Sequence, residues 1–298
     1  MKSFTIHKIK LLLIVFIFSV PTERIFAQIR GGEFMVENEG LKKVKEWVWK
    51  GKFYPFIDLS MGKSSLSREN FEGRLPEESL IELKLGYSQL RAYRDFVWEL
   101  DERFVYGSYL ADDLFTSVSL DSGDFRATIA RFGFGNRLGY GYKMGSLILL
   151  LYNQNGLHWS EMRTDRSDKL SLTDHSILDR YERTFRFGMN AEGGVRLQLF
   201  KALSLTAAYE IAVIYPRHLF WGWAGSNILY QIGMGMISNF TDDIIFSSPV
   251  AGPLFYFILK NALSYGYYQG VKNKMNWPFN SEIPMTVETV KFGISYTF

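Results

Sequence analysis

From Lys52 onward the chain alternates apolar and polar residues with a period of two. The clearest run is Thr184–Leu199. There Phe185, Phe187, Met189, Ala191, Gly193, Val195, Leu197 and Leu199 alternate with Thr184, Arg186, Gly188, Asn190, Glu192, Gly194, Arg196 and Gln198. After a short connection, Phe200–Ala202, the alternation resumes at Leu203, Leu205, Ala207, Tyr209, Ile211 and Val213. Earlier, Phe53, Pro55, Ile57, Leu59 and Met61 form one apolar face. Ile81, Leu83, Leu85 and Tyr87 form another, against Glu82, Lys84, Gly86 and Ser88. Successive side chains of a strand point to opposite faces, so each run predicts a strand with one apolar and one polar side. The runs are roughly 10 residues long, which is what a tilted strand needs to cross a bilayer.

Ten strands are predicted, over 53–62, 79–89, 95–107, 125–134, 145–159, 182–199, 203–214, 228–238, 254–268 and 287–298. They imply an all-β fold, a transmembrane antiparallel up-and-down β-barrel of about ten strands. The third to fifth alternate poorly, which leaves eight to twelve open. Residues 239–262, with Pro249 and Pro253, admit a short helix in place of a turn and strand. Connections near 63–78, 108–124, 160–181, 215–227 and 269–286 are long, while those near 90–94 and 200–202 are short, the habit of membrane barrels. If both ends lie inside, every long segment lies outside. Trp159, Trp221, Trp223 and Trp277 then fall near the outer rim and Trp47 and Trp49 near the inner one, as aromatic belts require, while Trp98 falls mid-strand.

The polar faces decide between a soluble and a membrane barrel. They carry Glu82, Lys84, Arg186, Glu192, Arg196, Glu210 and Lys291, which an apolar core could not hold unpaired. These charges are assigned to the lumen, where they either pair across strands and fill it or line a pore or ligand site. Filling is the expectation, because a barrel of about eight strands has room only for its own side chains and open channels come nearer sixteen.

Composition narrows the rest. The chain has no Cys, hence no disulfide framework and no thiolate metal site. The formal charge of +3 resides in residues 1–27, where Lys2, Lys8, Lys10 and Arg24 outweigh Glu23; the remainder is neutral and offers no electrostatic case for nucleic acid. Gly133, Gly135, Gly139 and Gly141 do not follow the phosphate-loop pattern, and nothing calls for a cofactor or a metal. The Lys-rich start, the apolar run Leu11–Val20 and Ala27-Gln28 predict a signal peptide over 1–27, with a short N-terminal anchor as the alternative. Residues 28–51 are read as a periplasmic segment. It is partly helical where Val36, Leu41, Val44 and Val48 recur, unless it is a plain linker.

The chain closes on Val290–Phe298, in which Phe292, Ile294, Tyr296 and Phe298 alternate with Lys291, Gly293, Ser295 and Thr297. This resembles the C-terminal assembly signal of bacterial outer-membrane β-barrel proteins. The resemblance implies a Gram-negative outer membrane, contact with its lipids and recognition by the barrel-assembly machinery during biogenesis. It implies no single activity and names no ligand or protein partner. His158-Trp159-Ser160 is similar to the His-x-Ser pair that outer-membrane lipid A deacylases carry on a barrel strand. Residues two apart share a face, so His158 could serve Ser160 as a base, with Asp174, Asp179 or Glu182 as third member. Glu161 stands where that family typically has Asn. The other reading makes His158 and Trp159 rim residues that open a polar loop. Asp112-Asp113 and Asp174-His175 resemble the paired groups of ten-stranded outer-membrane proteases, but here the partners are adjacent and read as solvated loop charges. The expectation is an outer-membrane barrel with a side-chain-filled lumen and surface loops for ligand or partner interaction, and no assigned catalytic centre. A narrow channel or transporter and a surface lipid hydrolase are the alternatives.

Overall fold

The computed structural model describes residues 52–94, 96–112, 114, 125–166 and 170–298. The predicted signal peptide, the 28–51 segment with Trp47 and Trp49, and Asp113 lie outside the described residues. Among those described there are eight strands: β1 (Tyr54–Ser67), β2 (Glu77–Arg94), β3 (Val97–Ala111), β4 (Phe125–Met144), β5 (Leu147–Arg166), β6 (Arg186–Gln198), β7 (Leu203–Ile214) and β8 (Met285–Thr297). Each pairs antiparallel with the next, and β8 pairs with β1 to close the barrel. Three helices accompany them: α1 (Leu172–Asp179), α2 (Phe220–Ser247) and α3 (Gly252–Asn273).

The strand number is therefore eight, not about ten. The strands predicted over 228–238 and 254–268 lie inside α2 and α3. Exposed Leu229, Ile232, Met236 and Phe240 recur every three or four residues, the helical period. The opposite face is also partly apolar and aromatic, so the usual contrast between helix faces is blurred. Pro253 sits in the first turn of α3, where its missing N–H breaks no bond.

Strands β4 and β5 are 20 residues each and meet in a two-residue turn. Gly145 there has φ of +63°, as such tight hairpins demand. Short connections at one end of the barrel define a turn end, and 68–76, 112–124, 167–185 and 215–284 define a loop end. Trp98, the second residue of β3, stands at the turn end rather than mid-strand.

Polarity reverses along the strands. At the loop end of β4, Phe125, Ala127 and Ile129 point inward and are buried, while Arg126 and Thr128 point out. Farther along the same strand Arg131 and Arg137 point inward, while Phe132 and Phe134 point out. On β5, Met162 is inward with Glu161 and Arg163 outward, whereas Gln154 and His158 are inward with Leu157 and Trp159 outward. Toward the turn end the outward positions of β2 and β3 become polar again at Arg91, Glu99, Asp101 and Arg103. An apolar outer belt thus lies between two polar collars.

The α2–α3 hairpin lies along the outside of β4 to β7. Near the loop end Trp223 donates to Met189 Sδ at 2.9 Å, and near the turn end Tyr142 donates to the Val250 carbonyl at 2.6 Å. Between them the outward residues Asn153 and Asn155 bond Asn261 and Tyr230 of the hairpin at 2.9 and 2.6 Å. The outer face of the hairpin is apolar, with Ile232, Met236, Phe240, Leu254 and Ile258 exposed. At the loop end Ser171 caps α1 by accepting from Asp174 N, and Ile177 and Leu178 of α1 are buried over the barrel mouth.

Candidate functional site

The inward charges form one lattice at mid-barrel. Lys291 Nζ lies 2.7 Å from Glu82 and 2.8 Å from Glu192, and it also bonds Glu210. Lys84 reaches Glu192 at 3.1 Å and Glu82 at 3.2 Å. Arg131 pairs with Glu210 at 2.6 Å and takes Ser108 through Nε at 2.9 Å. Arg137 divides its guanidinium among Glu102 (2.8 Å), Glu192 (3.3 Å) and Asp58 (3.4 Å), and lies 4.5 Å from the Tyr152 ring. Arg196 pairs with Glu102. Five carboxylates thus meet five cations, all of them buried, and the lattice is neutral. Gln154 and the Tyr152 hydroxyl bond to Glu192 at 2.9 and 2.7 Å. Glu82, Glu192 and Glu210 converge closely enough to hold a cation, and the Lys291 ammonium supplies it.

Apolar layers flank this lattice. Toward the loop end Leu66, Leu80, Leu110, Ile129, Met162 and Val287 pack under α1. Toward the turn end Leu100, Ile148 and Leu150 pack with Leu90 and Trp98.

Glu82, Lys84, Glu192, Arg196, Glu210 and Lys291, read from the sequence as lumen charges, lie together in this lattice. Arg186 does not join it. Arg186 begins β6, six residues and about 20 Å along the strand from Glu192, and its Nε has no hydrogen-bond partner. Sequence reading missed Asp58, Glu102, Arg131 and Arg137. The signal was the phase reversal in β4: a charge directly after Phe125 and again directly before Phe132 marks the two sides of the switch.

His158 and Ser160 sit inside the barrel rather than at an outer rim, because β5 runs on to Arg166. Both are buried, and neither His158 nitrogen nor the Ser160 hydroxyl has a hydrogen-bond partner, so no His–Ser bond exists. Gly133 and Gly188 flank His158, and a side chain at Gly188 would collide with its Nε2. The three acids proposed for it are engaged elsewhere. Asp174 accepts from the backbone of Glu72 and Gly73 at 3.1 and 3.0 Å, while Asp179 and Glu182 pair with Arg166 at 2.6 and 3.3 Å. The residues of the predicted assembly signal, Phe292, Ile294, Tyr296 and Phe298, are exposed on the outer wall of β8 and at the C-terminus. There Phe298 N bonds the Pro55 carbonyl at 2.9 Å.

No protein-family profile matches the chain, and no curated protein matches it. Among solved structures it is similar to Neisserial surface protein A, with 8% identity and a TM-score of 0.38, over 83% of this chain and 100% of that one. It is also similar to Ail, the attachment invasion locus protein of Yersinia pestis, with 10% identity and a TM-score of 0.28 over the same shares.

Proposed function

We propose that this chain is an outer-membrane barrel of a Gram-negative bacterium, with a sealed lumen that conducts nothing. Its loop end and lateral hairpin would be the surfaces that meet ligands or partners. One observation carries the reading: the same strands are charged inside and apolar outside in mid-barrel, yet apolar inside and polar outside at the loop end. Water on the outside everywhere would leave the apolar belt without a reason. A bilayer around the belt accounts for both halves, because only a closed barrel or a helix satisfies its backbone groups in lipid. No described helix is long and apolar enough to cross a membrane, which says nothing about crossing by strands. The lattice and its two apolar layers support a lumen filled by side chains, as expected near eight strands. Export by the 1–27 segment, contact with outer-membrane lipids and use of the assembly machinery through Phe298 belong to the same proposal.

The test is reconstitution. The mature chain should insert into vesicles as a species that migrates compactly unless boiled, and planar bilayers containing it should show no sizeable steady conductance. Large stable ion currents would overturn the sealed lumen, and failure to insert would overturn the membrane reading.

A further inference from the structure

The α2–α3 hairpin lies against the barrel over the full height of the apolar belt. Near the loop end Trp223 meets Met189, and His218 packs on Phe187 with ring centroids 4.8 Å apart. Phe187 stands in the cross-strand row of Trp159 and Phe132, at the loop-end edge of the belt. At the other end Asp242 accepts from the Tyr140 hydroxyl at 3.3 Å. Tyr140 stands in the row of Glu99 and Arg91, the polar collar of the turn end. There Arg94 and Tyr142 donate to the carbonyls of Phe246 and Val250. From Trp223 to Asp242 α2 rises about 28 Å, close to the roughly 25 Å of a membrane barrel's apolar band.

Charge respects the same limits. No charged residue occurs between His218 and Asp242, and between Asp243 and Lys272 there is Lys260 alone. Lys260 is fully buried and donates to the Met234 carbonyl of α2 at 2.7 Å. The face turned away from the barrel is as apolar as the belt. From Ile228 to Phe240 its exposed residues include one polar side chain, Asn239, and from Leu254 to Gly266 one hydroxyl, that of Tyr265. A protein interface carries about one hydrogen bond per 100–200 Å², and this face offers two groups along both helices. The polar groups lie on the other side, where Tyr230, Asn261 and Ser264 bond one another or Asn153 and Asn155 of β5. Neither helix is apolar enough to cross a membrane alone. Docked, each finds its hydrogen-bond partners in the barrel wall, as lipid requires. We infer that α2 and α3 cross the bilayer beside the barrel with lipid covering their outer face, so that the tip between them, residues 242–251, emerges on the inner side with the β-turns. The inference rests on the membrane reading above, and it makes lipid, rather than a protein, what the lateral hairpin meets. The crossings predicted over 228–238 and 254–268 are then made by helices, and a segment rooted at the loop end presents its middle on the opposite side.

The chain has no Cys, so single cysteines report without background. Thr173→Cys on α1, Lys201→Cys in the β6–β7 turn and Ser247→Cys at the tip, with Ser248→Cys as its duplicate, all replace exposed residues. Each variant of the full chain is expressed in a Gram-negative host and treated with a membrane-impermeant maleimide. In intact cells Thr173→Cys should react, whereas Lys201→Cys and the two tip variants should react once the outer membrane is opened and not before. Tip cysteines that react in intact cells, that fail to react after opening, or that behave as Thr173→Cys does would overturn the crossing. The covering is tested in vesicles of phosphatidylcholine with brominated acyl chains. A fluorophore on Ile232→Cys or Ile258→Cys should be quenched as strongly as one on Leu83→Cys of the bare wall. Strong quenching at Leu83 with none at Ile232 and Ile258 would overturn the lipid covering while the membrane reading stands. If Leu83→Cys also escapes quenching, or Lys201→Cys reacts in intact cells, the membrane reading itself falls and takes the inference with it.

Discussion

Removing the Lys291 ammonium is the sharpest perturbation of the lattice. In Lys291→Met the chain keeps its length and loses the one cation that touches Glu82, Glu192 and Glu210 together. At 2.8 Å the attraction to Glu192 alone is about 6 kcal/mol gross at an effective dielectric of 20. Desolvation of the buried ammonium offsets much of that attraction, so the measurable loss follows from the carboxylate charge left behind, about 3–5 kcal/mol. The assay is equilibrium unfolding by urea in vesicles, followed through the compact, heat-sensitive species. Two controls isolate the cause. Lys291→Met combined with Glu210→Gln restores neutrality and should recover more than half of the loss. Acidification should narrow the single variant's deficit, since protonating one carboxylate removes the uncompensated charge. A single variant within about 1 kcal/mol of wild type, well below the loss from breaking a buried pair, would refute the lattice as a tightly coupled unit.

The boundary of the belt is tested by paired substitutions on one strand. Phe132→Arg should impair insertion by about 2–4 kcal/mol, whereas Thr128→Arg, on the same face toward the loop end, should be near neutral; equal effects would misplace the boundary. Replacing Tyr296 and Phe298 by Asp should lower the amount of compact protein in outer-membrane fractions more than it lowers synthesis, and unchanged insertion would count against β8 as the assembly strand. Asp174→Ala removes two backbone bonds to the β1–β2 connection and should cost about 1.5–3 kcal/mol. The readout is faster protease cleavage within 68–76 with conductance still absent, and an unchanged cleavage rate would discount the tie.

Much of this architecture was legible where a strand keeps one polarity over most of its length. Strands β6, β7 and β8 read cleanly, and they supplied Glu192, Arg196, Glu210 and Lys291. Strand β4 did not, because its inward side changes from Phe125, Ala127 and Ile129 to Arg131 and Arg137 as it passes from water to belt. Strand β5 is masked differently. Its outward Asn153 and Asn155 break the apolar face because a helix, rather than lipid, covers them. The hairpin entered the sequence reading only as the alternative of a short helix over 239–262, since it turns polar groups toward the barrel and apolar groups away. The lumen site was partly visible: Arg131 and Arg137 were hidden by the switch in β4, whereas Asp58 lies on β1, whose alternation was read without its inward charge being assigned to the lumen. His158 was misplaced because the length of β5 beyond Trp159 depends on a collar that period-two reading alone does not reveal.

The position of the hairpin bears on the order in which the molecule can be built. Seventy residues separate the strands β7 and β8, yet the hairpin they contain docks sideways mainly over β4 to β7, touching β2 at Tyr93 and Arg94 near the turn end and β8 at Glu288, and leaves Phe292, Ile294, Ile57, Leu59 and Leu83 exposed. Among the described residues, nothing from the hairpin obstructs the seam where the last strand meets the first. A templating factor could hold that seam until the final register is reached, while the helices settle on the far wall in their own time. Closure and docking are spatially independent events, and a defect in one need not stall the other.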